Sequence, residues 1–196
     1  MRFILASSSP RRSDLLNQIG LDFEVIPSRF DESQVNASDP VELVRTLARE
    51  KAGTVASEVE GEAIVLGADT IVLLDDEILG KPRDEAEARS MLGRLAGRTH
   101  RVLTGVALIR RPNGPILVEH EETAVTMRNL TPGQIAAYVA SGEPMDKAGA
   151  YAVQGLGSVL VERLQGDYFN VVGLPLPRLA LMLEPLGLDV LGVAAR

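Results

Sequence analysis

A single aspartate follows an apolar stretch of the chain and is the first candidate for chemistry. Residues 63–67 are apolar or glycine, and Asp69 follows them in the string Gly67-Ala68-Asp69-Thr70. A carboxylate at the end of a buried strand lies at the edge where α/β proteins bind ligands. Asp69 is therefore predicted to be a metal ligand, a general base or both, with an ordinary capping or turn aspartate as the alternative. Glu32 could supply a second carboxylate to the same cation.

A cluster of serines and arginines near the start of the chain could bind phosphate. The string Ser7-Ser8-Ser9-Pro10-Arg11-Arg12 follows a short apolar segment and enters a predicted helix, whose first backbone N–H groups are free. Two arginines in the first turn oppose the helix dipole, which favours an anionic ligand that offsets the repulsion. N-capping by serine beside two solvated arginines is the alternative that this string leaves open.

Lysine is rare in this chain. Of the 20 basic residues only Lys51, Lys81 and Lys147 are lysines, and the others are arginines. A lysine ammonium is a compact point charge, whereas the guanidinium is a planar fork, so a crowded site around a triphosphate could accept only the lysine. The alternative is that the three lysines are present by chance and have no role in a phosphate site.

Several common motifs are absent or incomplete. Gly80-Lys81-Pro82 lacks the Ser or Thr and the upstream glycine of a Walker A loop, and Gly155 and Gly157 lack the third glycine of a dinucleotide fingerprint. His100 and His120 lie in predicted strands without metal-ligand spacing, and we expect structural or surface roles for both.

The composition narrows the class of protein further. The 196 residues are 45% hydrophobic and 24% charged, as expected for one folded domain over residues 1–196. The chain has no cysteine, which excludes disulfides, thiolate catalysis and cysteine-bound metal centres. The net charge of −7 argues against nucleic acid as a partner, so any phosphate site must be local. No apolar stretch approaches the ~18 residues of a membrane span, and Arg11 comes too early for a secretory segment, so the cytoplasm is the expected location.

The elements that must position these residues alternate between strands and helices. Strands 99–109 and 116–127 flank Pro112-Asn113-Gly114, which predicts a hairpin. Helices are predicted from Pro10, from Pro40 after an Asp39 cap, over 84–95, from Thr131 to about Gly142, and from about Pro175. The other predicted strands are 2–6, 22–27, 63–67, 71–74, 78–79 and 158–164. We therefore expect an α/β fold, with a mixed central sheet, helices on both faces and two lobes around a cleft.

A set of strings in this chain, taken in order, resembles the Maf family of nucleotide pyrophosphatases. The resemblance runs from Leu5 to about Leu176, and all three lysines fall inside it. The strings are 5–12, Arg49-Glu50-Lys51-Ala52, Gly67-Ala68-Asp69-Thr70, Leu79-Gly80-Lys81-Pro82, Thr104-Gly105-Val106, and Asp146-Lys147-Ala148-Gly149-Ala150-Tyr151 through Gln154-Gly155.

The resemblance implies a fold similar to the inosine triphosphate pyrophosphatases. It also implies hydrolysis of nucleoside triphosphates to monophosphate and pyrophosphate with a divalent cation, Mg²⁺ or Mn²⁺. Asp69 takes the place of the catalytic base that activates water for attack on the α phosphorus, and Glu32 takes that of a carboxylate on the metal. Positions associated with base selection are matched by Arg11, Thr70 and Gln154. Polar and basic positions around the phosphates are matched by Ser7, Arg12, Lys51, Lys81 and Lys147.

The string 146–151, with Thr70 and Gln154, resembles the group of Maf proteins that prefers dTTP and UTP over the group that prefers 7-methyl-GTP. The expected substrates are therefore dTTP, UTP and modified pyrimidine nucleotides, and a homodimer is the default assembly. One alternative is a nucleotide-binding regulator of septum formation without catalysis. Asp69 disfavours it, because a carboxylate repels a triphosphate unless a metal intervenes. A nucleotidyltransferase is another alternative, and it would need an acceptor.

Overall fold

The computed structural model describes residues 1–194 and is built around a seven-stranded mixed sheet. The strands are β1 (Arg2–Leu5), β2 (Glu24–Val25), β3 (Ala63–Leu74), β4 (Glu77–Leu79), β5 (Thr99–Arg111), β6 (Ile116–Met127) and β7 (Val161–Gln165). Their order is β2-β1-β3-β5-β6-β7, with β4 paired to β3. β1 is parallel to β2 and β3, whereas β4 is antiparallel to β3 and β7 is antiparallel to β6. The predicted mixed α/β class is confirmed.

Seven α-helices accompany the sheet within the described part of the chain. They are α1 (Pro10–Gln18), α2 (Pro40–Glu58), α3 (Glu85–Leu95), α4 (Pro132–Ala140), α5 (Tyr168–Val172), α6 (Leu176–Leu183) and α7 (Val190–Ala194). Over residues 1–194, no helix is both long enough and apolar enough to cross a membrane.

The chain forms two compact units. The first comprises residues 1–69, 104–121 and those from 173 onward, and the second comprises residues 70–103 and 122–172. In the first unit, apolar residues of α2 pack with apolar residues of β1, β3 and β5. In the second unit, apolar residues of α3 and α4, with the buried Tyr138 of α4 among them, pack with residues of β3 to β6 and with buried Tyr151.

Local signals explain the start of α2 and the hairpin. The Asp39 side chain accepts a hydrogen bond from the Val41 N–H, and Pro40 occupies the first helical position, as the sequence predicts. The long strands β5 and β6 meet at the predicted turn, where Asn113 has a positive φ of 53°.

Three strand predictions need correction. The strand predicted over 63–67 does not end there, because β3 continues without interruption to Leu74. Asp69 therefore lies inside a strand rather than at its end. The ammonium of Lys51 compensates its charge there. The strand predicted over 22–27 shortens to Glu24–Val25. The strand predicted over 158–164 starts only at Val161, because residues 155–160 form 3₁₀ turns.

Two glycines let α2 lie directly against the strands. A Cβ on Gly67 of β3 would stand 2.3 Å from the Ala48 carbonyl oxygen, and a Cβ on Gly105 of β5 would stand 2.1 Å from the Val44 carbonyl oxygen. No heavier residue fits at either position without moving the helix. This close approach brings α2, which carries Lys51, next to β3, which carries Asp69.

We expect Gly67→Ala to destabilise the protein by about 1–3 kcal/mol, because the added methyl group forces backbone to move apart in a packed interior. The urea midpoint of unfolding measures the effect. Gly93→Ala is the matched control: an added Cβ at Gly93 meets no heavy atom within 4 Å. Alanine inside a helix is favoured over glycine by roughly 0.5–1 kcal/mol, so this variant should be slightly more stable. Equal midpoints for the two variants would contradict the packing argument.

Candidate active site

Three of the predicted site residues meet in one ion-pair cluster. The Lys51 Nζ lies 2.5 Å from Asp69 Oδ1 and 2.7 Å from Glu32 Oε1. Lys51 belongs to α2, Asp69 to β3, and Glu32 to a short 3₁₀ turn over Glu32–Gln34. One ammonium thus bridges two carboxylates from separate parts of the chain.

The members of this cluster differ in exposure. The side chains of Lys51 and Asp69 are 13% and 12% exposed, whereas that of Glu32 is 58% exposed. A carboxylate can be buried in a strand when a cation and a hydrogen bond compensate its charge, and Lys51 provides both. Oxygen Oδ1 of Asp69 is held by Lys51, and no other hydrogen bond to the Asp69 side chain is formed by residues 1–194. One carboxylate oxygen therefore remains available to water or a ligand.

Ser7, in the loop between β1 and α1, is hydrogen-bonded to Arg12 in the first turn of α1. Ser7 Oγ accepts hydrogen bonds from the Ser9 N–H at 3.2 Å and from Arg12 Nη1 at 3.0 Å, and Arg12 Nε donates to the Gly173 carbonyl oxygen at 2.9 Å. Burial is the main cause that lowers the pKa of Arg12, and the Asp69 carboxylate acts in the opposite direction. A guanidinium stays charged even so. Within the described residues the Ser9 side chain makes no capping hydrogen bond to α1. The Ser7 hydroxyl instead accepts a hydrogen bond from the Arg12 guanidinium.

Four predicted site residues belong to the second unit: Thr70, Lys81, Lys147 and Gln154. Lys147 is confined: its Nζ donates to the Glu143 carbonyl oxygen and to Asp146 Oδ1, each at 2.6 Å. Lys81 and Gln154 are exposed, and their side chains form no hydrogen bond or ion pair with any part of the chain that the structure describes. Thr70 is half-buried and follows Asp69 in β3.

Sequence reasoning missed Glu143, whose carboxylate accepts hydrogen bonds from the backbone of a nearby loop. Its two oxygens accept the N–H groups of Leu156 and Gly157, each at 2.9 Å, and the Tyr138 hydroxyl also at 2.9 Å. Burial opposes ionisation of Glu143, but these donors and the Lys147 ammonium together lower the pKa of this carboxyl. The only signal in the sequence was an acidic residue following Gly142 and preceding a glycine-rich passage.

His100 is a structural residue, as predicted. It is 1% exposed, and its Nε2 lies 2.7 Å from the hydroxyl oxygen of Tyr151, with the rings edge to face. Burial lowers the pKa of His100 to about 4, so the imidazole is neutral at neutral pH.

A divalent cation of the Mg²⁺ class fits the donor set of the cluster. Mg²⁺ prefers oxygen ligands and is commonly held by one or two carboxylates together with substrate phosphates. Asp69 and Glu32 are two carboxylates that already share one cation, the Lys51 ammonium. No group of three or more His, Cys, Asp or Glu residues that could hold a metal ion occurs among residues 1–194.

The Lys51–Asp69–Glu32 cluster and the Arg12 guanidinium beside Ser7 give this mixed α/β protein cations and carboxylates of the kind that bind phosphate groups. A sequence model described as Maf-like protein matches residues 2–186. The chain belongs to this Maf-like family.

Individual relatives are similar over nearly their whole length. The chain is 53% identical over 191 residues to a dTTP/UTP pyrophosphatase of Moorella thermoacetica, covering 97% of this chain and 98% of that protein. It is 55% identical over 189 residues to a dTTP/UTP pyrophosphatase of Symbiobacterium thermophilum, covering 96% of each. Among solved structures, a nucleoside-triphosphatase / dITP/XTP pyrophosphatase from Mycobacterium abscessus is similar with a TM-score of 0.39 and 15% identity, over 65% of this chain and 73% of that one.

Proposed function

We propose that this protein hydrolyses dTTP and UTP, and modified pyrimidine nucleotides, to the nucleoside monophosphate and pyrophosphate. The observation that carries the proposal is the Lys51 ammonium between Asp69 and Glu32, in a chain about half identical to proteins named dTTP/UTP pyrophosphatase. Such a cluster would provide a base and metal ligands, which a protein that only binds nucleotide does not need.

In the proposed reaction, Asp69 accepts a proton from the water that attacks the α phosphorus. The bond between the α phosphorus and the oxygen that bridges to the β phosphorus breaks, and that oxygen leaves with pyrophosphate. Lys51 orients the carboxylate by holding Oδ1 at 2.5 Å, so that the other oxygen can meet the water. Base catalysis of this kind needs a carboxylate fixed within hydrogen-bond distance of the proton.

Asp69 and Glu32 would hold the divalent cation, Mg²⁺ or Mn²⁺. When bound, the cation neutralises phosphate charge and favours nucleophilic attack. Lys51 reduces the net charge of the two carboxylates, which lessens their repulsion of a triphosphate.

Fixed cations complete the proposed phosphate contacts. Arg12 is held by Ser7 and by the Gly173 carbonyl oxygen, so its guanidinium is positioned before any ligand binds. Preorganised cations stabilise charge that develops on phosphate oxygens without further rearrangement. We assign the same role to Lys81 and Lys147, and we assign Ser7 a polar contact with phosphate.

Arg11, Thr70 and Gln154 are the proposed base-selection residues. Uracil and thymine present two carbonyl acceptors on either side of one N3–H donor, and a glutamine amide with an arginine can match this pattern. Cytosine reverses part of it and would leave a buried group unpaired, at a cost of about 1–3 kcal/mol. We therefore expect CTP to be disfavoured by roughly ten- to a hundredfold.

A panel of nucleoside triphosphates tests the proposal. Purified protein is incubated with dTTP, UTP, CTP or 7-methyl-GTP and with Mg²⁺ or Mn²⁺, and the products are resolved by chromatography. We expect monophosphate and pyrophosphate, fastest from dTTP and UTP, and no turnover with chelator. Orthophosphate with nucleoside diphosphate would contradict the reaction. Equal or faster turnover of 7-methyl-GTP would overturn the substrate assignment alone, and tight nucleotide binding without hydrolysis would favour the regulatory alternative.

A further inference from the structure

We infer that Glu143 is a positioning residue for base selection, because it holds the backbone of the loop over residues 154–157 and so sets where the Gln154 amide lies. The inference rests on the proposed function, since it concerns how that same site would choose its base.

The Glu143 carboxylate accepts hydrogen bonds from the backbone of this loop. Its Oε2 accepts the Leu156 N–H and its Oε1 accepts the Gly157 N–H, each at 2.9 Å. These residues are 13 and 14 positions away in the chain, so the carboxylate joins two separate segments. Hydrogen bonds to a charged acceptor are among the stronger ones in proteins.

Tyr138 extends the same anchor to the other side of Gln154. Its hydroxyl donates to Glu143 Oε1 at 2.9 Å and accepts the Ala152 N–H at 3.2 Å. Tyr138 is itself 5% exposed in the core of its unit. These hydrogen bonds hold the backbone at Ala152, two residues before Gln154. They also hold it at Leu156 and Gly157, two and three residues after Gln154.

No hydrogen bond within residues 1–194 orients the Gln154 side chain. It is exposed and forms no hydrogen bond with residues 1–194, so its position follows from the backbone that carries it. The next residue, Gly155, has a φ of +60°, and a Cβ there would stand 2.6 Å from Glu143 Oε2. The carboxylate therefore packs closely against the loop at Gly155, whose positive φ favours glycine.

Glu143→Gln tests the inference because it keeps the size of the side chain and changes its hydrogen bonding. Both carboxylate oxygens accept backbone N–H groups. Either orientation of a glutamine amide places its NH₂ against one of those N–H donors, so one hydrogen bond is lost. Tyr138→Phe is a milder second variant, which removes only the hydroxyl. Glu122→Gln is the matched control, since the exposed Glu122 side chain pairs with Arg101 at 3.3 Å and has no hydrogen bond to residues 154–157.

The experiment measures kcat and KM for UTP, dTTP and CTP, together with amide hydrogen exchange of a peptide that contains residues 154–157. We expect Glu143→Gln to lower the UTP-over-CTP ratio of kcat/KM by about five- to thirtyfold, a range that one lost hydrogen bond can produce. The loss should come mainly through a higher KM for UTP and dTTP, with faster exchange in the loop. Tyr138→Phe should show the same changes to a smaller extent, and Glu122→Gln should show neither.

Unchanged exchange in Glu143→Gln would overturn the inference, as would an equal loss of kcat/KM for all three nucleotides, because a merely structural role predicts uniform loss. If Glu143→Gln does not fold, unchanged exchange and an unchanged ratio in Tyr138→Phe would overturn it instead. Failure of the unaltered protein to prefer UTP over CTP would reject the proposed substrate and, with it, the base-selection role of Glu143. A normal preference in the unaltered protein that survives in Glu143→Gln would reject the inference alone.

Discussion

Replacing Asp69 with asparagine is expected to lower kcat for UTP by roughly two to four orders of magnitude, the range typical of losing a catalytic base or a key electrostatic contact. Asparagine keeps the size of the side chain, but it neither accepts a proton from water nor compensates the Lys51 ammonium that lies 2.5 Å from Asp69 Oδ1. Initial rates of pyrophosphate release at saturating UTP and Mg²⁺ measure the effect.

Asp75→Asn is the control for this experiment. Asp75 is an exposed turn residue with a φ of 56°, a conformation that asparagine adopts readily, and it pairs with Arg98 at the surface. We expect this variant to retain turnover close to that of the unaltered protein. Near-normal turnover in Asp69→Asn would remove Asp69 from the mechanism.

Lys51→Arg is expected to lower kcat/KM by about a hundredfold although the charge is kept, because displacement of a catalytic group by about 1 Å can have an effect of this size. The Lys51 side chain is 13% exposed and is held between the two carboxylates. A guanidinium is larger and directs its donors along a plane, so it would push Asp69 or Glu32 out of position.

The other lysines provide the comparison for Lys51→Arg. The Lys147 side chain is 14% exposed and is held by two acceptors, so Lys147→Arg should also impair activity. Lys81 is exposed, so Lys81→Arg should have the smallest effect of the three. Full activity in all three variants would show that the three lysines are present by chance in this arginine-rich chain.

Much of the fold was predictable because it depends on local patterns. The cap at Asp39 and the turn between β5 and β6 involve residues within a few positions of each other, and both were predicted correctly. The continuity of β3 was not predictable from periodicity, since a charged residue in an apolar run resembles the end of a strand. The pairing of Asp69 with Lys51, 18 residues away, compensates the charge that is buried inside the strand.

The sequence by itself determined the family of this protein and the residue types of the candidate site, because the family strings are short and keep their order along the chain. The tertiary structure alone decided which of those residues touch. It placed one ammonium between Asp69 and Glu32, fixed Arg12 by Ser7 and the Gly173 carbonyl oxygen, and set Glu143 against the loop after Gln154. The physical reason is that these contacts, apart from the local one between Ser7 and Arg12, join segments separated in sequence, so only packing of the chain can bring their atoms within hydrogen-bond distance.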